Sequence, residues 1–422
     1  MRSHHLRILL IGPTCDGTDV GEAWSTYQWV RGLSERHNVT LLTYRKRNRP
    51  SVIPQLSNVQ VIEWTDLPLV GRFDRFNAMA KPGYLRFYWR ARRWIQHAAA
   101  SDMHFDIVHQ IAPLALRYPC PAIGLQWPVI IGPVAGSLDT PDAFKRETES
   151  DPWYVNLRQL DRWRFRHDPW LRATYQQATV VIGVAPYVKD LLSDVHPKQF
   201  VICSETGVAT LPSLVRRRKL SGPLNLLYVG RIIRTKGLRD AIRALGQLPT
   251  DLKWRMDIVG DGPDRLHCEN EAKRLGLMDC IQFHGKIARQ DVNRFYEQAD
   301  IFVFPSFREP SGNVVIEAMS YGLPCIVADR GGPAEVVMTD CGIRIPINDP
   351  DQYSAAIAEA IELLAKNHEL RIQMGINAHE RVRNVYMWPR KIDWLTTLYM
   401  QILDERMSFG ANRDLRTEVR VS

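Results

Sequence analysis

Short runs of β-branched and leucine residues alternate along this chain with longer amphipathic stretches, and nothing else in it restricts the fold so strongly. The clearest run begins at residue 224. Strands are predicted at residues 224–229, 254–259, 281–283, 301–304 and 324–328, and helices at 238–248, 264–275, 290–298, 313–321 and 352–365. Such alternation builds a parallel sheet with helices on both faces. A looser version precedes it, with strands at 6–11, 38–44, 105–109, 128–131 and 179–184 and helices at 22–36, 85–100 and 153–177. Between the two runs lies TLPSLVRRRKLSGP, residues 210–223, where two prolines, a glycine and four consecutive basic residues interrupt the periodicity and read as a linker. The predicted class is α/β, as two doubly wound, Rossmann-like parallel-sheet domains facing an interdomain cleft. The first spans 1–210, the linker 211–223 and the second 224–386. A last helix at 387–406 is expected to kink at Pro389 and to pack back on the first domain, ahead of a frayed polar tail at 407–422.

The 422 residues suffice for two or three domains, and with 45% apolar and 24% charged residues the chain is neither disordered nor a multi-span membrane protein. The formal net charge of +9 favours anionic partners. Seven cysteines at irregular spacing, with no CxxC pair, read as reduced thiols rather than a disulfide framework or a zinc site. The apolar run at 6–11 is too short for a secretory signal, and no stretch of about 18 apolar residues occurs, so a cytoplasmic protein is expected.

Two segments carry chemistry. The first, VGRIIRTKGL, follows a strand and opens a helix. Gly230 at the strand end, Arg231, Lys236 and a second glycine make an anion site, because unpaired N–H groups point outward from a helix N-terminus. Exposed cations capping a surface turn are the alternative. The nicotinamide fingerprint GxGxxG is missing. The second segment, PSFREPSGNVVIEAMSYGLPCIV, places Glu309 on a loop and Glu317 a turn into a helix, with Gly312 between them. Each carboxylate can accept two hydrogen bonds from a vicinal diol. The bland alternative is an acidic first turn with Glu317 solvated. Asp349 and Asp351, the one Asp-Pro-Asp, fit turn and N-cap chemistry better than a metal site.

Taken together, VGRIIRTKGLRDAIRAL, IVGDGPDRL and IQFHGKIARQDVNRFYEQADIFVFPSFREPSGNVVIEAMSYGLPCIVADRGGPAEVV resemble the donor-binding half of the retaining glycosyltransferases of family 4, which have the GT-B fold. The resemblance covers roughly residues 224–385 and extends to bacterial polysaccharide-biosynthesis members. It implies a nucleotide-sugar donor, a UDP- or GDP-sugar, with no metal needed. Arg231 and Lys236 would contact the diphosphate, Glu317 the ribose and Glu309 the transferred sugar. Gly312, Asn313 and Val314 would present backbone amides, and the main chain at Lys286 and Ile287 would frame the base. The leaving phosphate would be stabilised by preorganised cations and amides and would take the acceptor proton on the same face.

The first domain resembles the family less closely. His109, at a predicted strand end, either touches sugar or acceptor, as histidines hereabouts do in the family, or is a buried structural residue. The loop with Gly17 and Gly21 and the segment with Gly132 and Gly136 resemble a phosphate contact and an acceptor-side loop. From residue 72 to 94, seven basic residues stand against one acid and are interleaved with aromatics, and 158–172 adds Trp163, Phe165 and Trp170. Such stretches either lie on an anionic membrane or bury their aromatics inside the domain. Without a recognition motif they do not indicate nucleic acid. The expectation is a retaining, metal-independent glycosyltransferase acting on a glycan or lipid-linked acceptor, cytoplasmic or peripheral on the inner membrane face. The alternatives are a nucleotide-sugar epimerase of the same fold and a non-catalytic glycan-assembly subunit.

Overall fold

A computed structural model describes residues 5–46, 49–65, 83–101, 103–148, 159–214 and 222–418. Its contacts divide the chain into two units, one formed by Met1–Gly136, Leu157–Glu205 and Trp388–Ser422, the other by Ser137–Asn156 and Thr206–Met387.

The first unit holds seven parallel strands: β1 (Arg7–Thr14), β2 (Asn38–Arg45), β3 (Val59–Thr65), β4 (Ile107–Gln110), β5 (Val129–Val134), β6 (Val180–Gly183) and β7 (Phe200–Ile202), in the order β3-β2-β1-β4-β5-β6-β7. Successive side chains leave a strand on opposite faces, and here both faces are covered. On β1, Ile8 and Leu10 enter one apolar cluster while Leu9 and Ile11 enter the other. The first cluster is closed by α1 (Glu22–Ser34) and by the C-terminal helix Trp388–Glu418. Trp388 meets Trp29 edge-on at 5.2 Å, and a Cβ on Gly32 would lie 2.6 Å from Ile392, so these helices cross where α1 has no side chain. Lys391 sits 4.9 Å from the Trp29 ring and donates to the Ser204 carbonyl at 2.6 Å. The other cluster is covered by α2 (Tyr84–Ala100), which inserts Tyr84, Phe87, Ala91, Ile95 and Ala98.

The second unit holds six parallel strands: β8 (Leu224–Val229), β9 (Trp254–Val259), β10 (Ile281–Gly285), β11 (Ile301–Phe304), β12 (Cys325–Ala328) and β13 (Gly342–Ile345), in the order β10-β9-β8-β11-β12-β13. Thus β8 and β11 are neighbours, and from them the chain winds outward in opposite directions. Ser137–Asn156, which the sequence pattern left in the first domain, belongs here, and its Phe144 is buried in the second unit's core.

Three expectations are corrected. Pro389 is the second residue of its helix, where no intrahelical donor is lost, so it starts the helix instead of kinking it. The tail expected to fray continues that helix to Glu418. The helix expected over 153–177 is two, Gln159–His167 and Pro169–Gln177, because Asp168 caps the second by accepting from the Trp170 and Leu171 amides. Residues 153–158 of that expectation, 72–82 of the basic aromatic stretch and 215–221 of the linker lie outside the described residues. Pro212 and Leu214, at the linker's start, pack on the second unit through the His379 ring and Gly322. Among the described residues no helix is long and apolar enough to cross a membrane.

Candidate active site

Where neighbouring strands of a doubly wound sheet lead to helices on opposite faces, the loops at their carboxyl ends diverge and leave a crevice. In the second unit that place is the β8–β11 pair. The loop after β8 runs through Gly230 and Arg231 into the turn Arg234–Lys236, and Gly237 then opens the helix Leu238–Leu245. Gly237 has φ 75°, and a Cβ there would stand 1.9 Å from the carbonyl of Pro305, the residue after β11. Only glycine allows this approach, which brings the two loops into register.

Lys236 and Glu309 meet as a result. The lysine Nζ donates to Glu309 Oε2, with the side chains 12% and 17% exposed. Lys236 also lies 5.7 Å from the Phe304 ring. The amides of Ser311 and Gly312 point at Glu309 Oε1 at 3.3 and 3.4 Å. Burial alone would raise the Glu309 pKa, but the Lys236 ammonium and these two amides more than offset it and hold the carboxyl below its ordinary value.

Gly312, at φ 80°, starts the helix Asn313–Ser320. The amides of Asn313 and Val314 belong to the first turn, which has no intrahelical acceptors. The Asn313 Oδ1 is buried with no hydrogen-bond partner among the described residues. One turn on, Glu317 accepts from the Tyr296 hydroxyl at 3.3 Å. Exposed Lys286 and half-buried Ile287 follow Gly285 at the end of β10. Exposed Arg231 shares the Lys236 loop, and its carbonyl accepts from the Tyr228 hydroxyl at 3.1 Å.

Two features of this site are silent in the sequence. Arg234, which looks like a third cation of the anion loop, turns inward and is 4% exposed. It is bidentate to Asp240 at 2.6 and 2.9 Å, donates to Glu147 at 2.8 Å and lies 5.4 and 5.2 Å from the packed rings of Phe144 and Phe307. The lysine loop is thereby braced by a segment distant in sequence. The second feature is Arg330–Gly331–Gly332 after β12, packed so tightly on the Glu309 loop that Gly332 donates to the Glu309 carbonyl at 3.0 Å.

His109 lies elsewhere, in the first unit. It is fully buried on β4, with Nδ1 2.6 Å from the Tyr399 hydroxyl and Nε2 2.5 Å from the Gly132 carbonyl. Burial depresses its pKa to about 4. Both ring nitrogens are engaged and no surface is open to a substrate, so its surroundings fit the structural alternative. Asp349 is an N-cap, accepting from Asp351 and Gln352 amides at 3.0 Å. No group of three or more potential metal ligands occurs among the described residues.

Two family models match the chain, "Glycosyl transferases group 1" over residues 215–381 and "Glycosyltransferase Family 4" over residues 21–204. The chain belongs to this glycosyltransferase family, whose members use nucleotide-sugar donors, and it has the GT-B fold. It is 27% identical over 264 residues to the lipopolysaccharide core biosynthesis glycosyltransferase LpsE of Rhizobium meliloti, a match covering 61% of this chain and 73% of that one. Several other curated relatives are matched over 41% to 57% of their own length. Among solved structures, sucrose-phosphate synthase of Thermosynechococcus elongatus superposes with TM-score 0.64 at 21% identity, over 95% of this chain and all of that one. Anabaena HepE in complex with UDP gives 0.62 at 18%, over 96% and 100%. At such identities the likeness concerns the fold.

Proposed function

We propose that this glycosyltransferase moves a sugar, with retention of anomeric configuration and without a metal, from a UDP- or GDP-sugar to a glycan or lipid-linked saccharide in polysaccharide biosynthesis. The observation that carries this is the meeting of Lys236, Glu309 and the Ser311 and Gly312 amides, just ahead of the helix Asn313–Ser320, at the β8–β11 divergence. Arg231 and Lys236 take the diphosphate together with the Asn313 and Val314 amides, an arrangement that stabilises charge where it develops on the leaving oxygen. Glu309, kept ionised by its neighbours, holds hydroxyls of the transferred sugar, while Glu317 holds the ribose and Lys286 and Ile287 frame the base. His109 is given no catalytic part. The UDP complex of HepE supports a nucleotide ligand for this fold, and LpsE, a lipopolysaccharide core biosynthesis glycosyltransferase, supports a saccharide acceptor. NMR of the product's anomeric proton, with chelator present, tests the proposal: a retained configuration at full rate is expected, and inversion or loss of activity would refute it. An epimerase would form product without acceptor.

We further propose peripheral contact with anionic membrane. On α2, Leu85, Arg86, Trp89 and Arg93 are exposed, and Trp163 and Trp170 are exposed on the helices Gln159–His167 and Pro169–Gln177. Trp89 meets Trp170 at 5.8 Å, making a continuous aromatic and basic face suited to a headgroup layer.

A further inference from the structure

Glu309 is flanked by two arginines for which the donor scheme above has no use. Arg308 precedes it on the loop after β11, and Arg330 precedes Gly331 on the loop after β12. These loops are locked together: Gly332 donates to the Glu309 carbonyl at 3.0 Å, and a Cβ on Gly331 would fall 2.3 Å from the same oxygen. Arg308 Nη1 donates to Thr140 Oγ1 at 3.2 Å, so the Ser137–Asn156 segment holds it in place. Arg330 is half-buried, and its guanidinium makes no hydrogen bond or ion pair with a described residue. Burial lowers its pKa and so does the like charge of Arg308, while Asp139 acts in the other direction. A partly desolvated cation beside a second cation, with no acceptor for its fixed fork of donors, is unfavourable for the protein alone. An anion reverses that sign, since carboxylates and phosphates match the guanidinium fork in pairs of short hydrogen bonds.

We propose that Arg308 and Arg330 bind an acidic group, a carboxylate or phosphate, on the saccharide that occupies the Glu309 end of the site. This rests on the donor role proposed for the second unit. The diphosphate is not the anion in question: its cations stand on the loop after β8, whereas Arg330 stands on the loop after β12, two strands away in the sheet order. The same chemistry has two sources, the transferred sugar, as in a hexuronate donor, or an acidic acceptor saccharide.

Calorimetry with matched probes separates them. UDP-glucose is compared with UDP-glucuronate, GDP-mannose with GDP-mannuronate, and glucose with glucose 6-phosphate, the last pair with and without UDP or GDP. The acidic member of a pair should bind at least about tenfold tighter, the scale of a charged hydrogen bond. Arg330→Gln should bring that ratio close to one and leave the affinity for UDP or GDP alone unchanged, with partial recovery in Arg330→Lys. A preference within a donor pair assigns the acid to the transferred sugar, and one confined to the hexose phosphate assigns it to the acceptor. Equal binding of acidic and neutral members in every pair overturns the proposal, and that ratio is read on the unaltered protein. Weakened UDP or GDP binding in Arg330→Gln also overturns it, by making Arg330 a diphosphate ligand. If neither nucleotide binds the unaltered protein, the donor role fails instead, and the hexose phosphate arm still decides the acid site.

Discussion

Replacing Lys236 by alanine removes the ammonium that Glu309 faces and, in the proposed complex, a cation on the leaving diphosphate. The two consequences have separate sizes. In the free protein, Glu309 would keep only the Ser311 and Gly312 amides at 3.3 and 3.4 Å, long for hydrogen bonds to a carboxylate. Breaking a fully buried ion pair costs about 3–5 kcal/mol. With side chains 12% and 17% exposed, water relieves part of that, leaving a loss of about 2 kcal/mol and a Glu309 pKa that rises because burial is then opposed only by the two amides. In the reaction, loss of one preorganised donor to a developing oxyanion lowers turnover about 10²–10³-fold. Initial rates at saturating donor, with melting curves on the same samples, measure both. The cycle Lys236→Ala, Glu309→Gln and the double variant shows whether the residues act as one unit, in which case the double variant loses less than the sum. A folded Lys236→Ala enzyme with unchanged turnover would refute the role given to this residue.

Glu317→Ala should weaken donor binding about ten- to hundredfold, by loss of hydrogen bonds to a charged acceptor; calorimetry showing unaltered affinity would overturn the ribose assignment. His109 titrates near pH 6.5 when unfolded and at about 4 when folded, so the unfolded chain binds its proton first on acidification. The stability it contributes is complete above pH 6.5 and is lost as pH falls toward 4, by about 3 kcal/mol. Denaturant titrations at several pH values should show that slope, and His109→Gln should reduce it, leaving the share that His37, likewise depressed to about 4 by burial, contributes. Gly237→Ala and Gly276→Ala both impose an alanine at φ near 70°, but only the first meets a backbone oxygen at 1.9 Å. The first should therefore destabilise by at least about 2 kcal/mol more than the second and also slow turnover; equal effects would show that the loop contact is unimportant. Anionic vesicles should co-sediment the protein at low salt and release it at high salt, whereas no binding at low salt would dispose of the membrane face.

The second unit was largely legible because strands such as β11 and β12 are continuous apolar runs and a helix such as Leu238–Leu245 buries one apolar side. The expected strands at 224–229, 254–259 and 301–304 coincide with β8, β9 and β11. β3 was missed because it is an edge strand whose residues are all partly or fully exposed, so its alternation is weak. Lys236 and Glu309 stood out through glycine and helix-start chemistry, and the resemblance to the family gave them their expected roles. Arg234 could not be set apart from Lys236, since what turns it inward is a pair of acids, Asp240 on the following helix and Glu147 in a segment distant in sequence with no periodic signal. The same holds for Arg330, whose significance comes from tertiary contact with the Glu309 loop. Pro389 misled because proline breaks a helix only beyond its first turn.

The central claim is that the second unit grips an activated sugar through Lys236, Glu309 and Glu317. Thermal melts of the unaltered protein with a panel of UDP- and GDP-sugars test it most directly, because a ligand bound only by the native state at a hundred times its Kd adds about 2.7 kcal/mol. Stabilisation by several degrees with at least one sugar nucleotide, reduced in Lys236→Ala and Glu317→Ala, is the predicted result. A panel in which no sugar nucleotide shifts the melt, or in which both variants respond as the unaltered protein does, would contradict it.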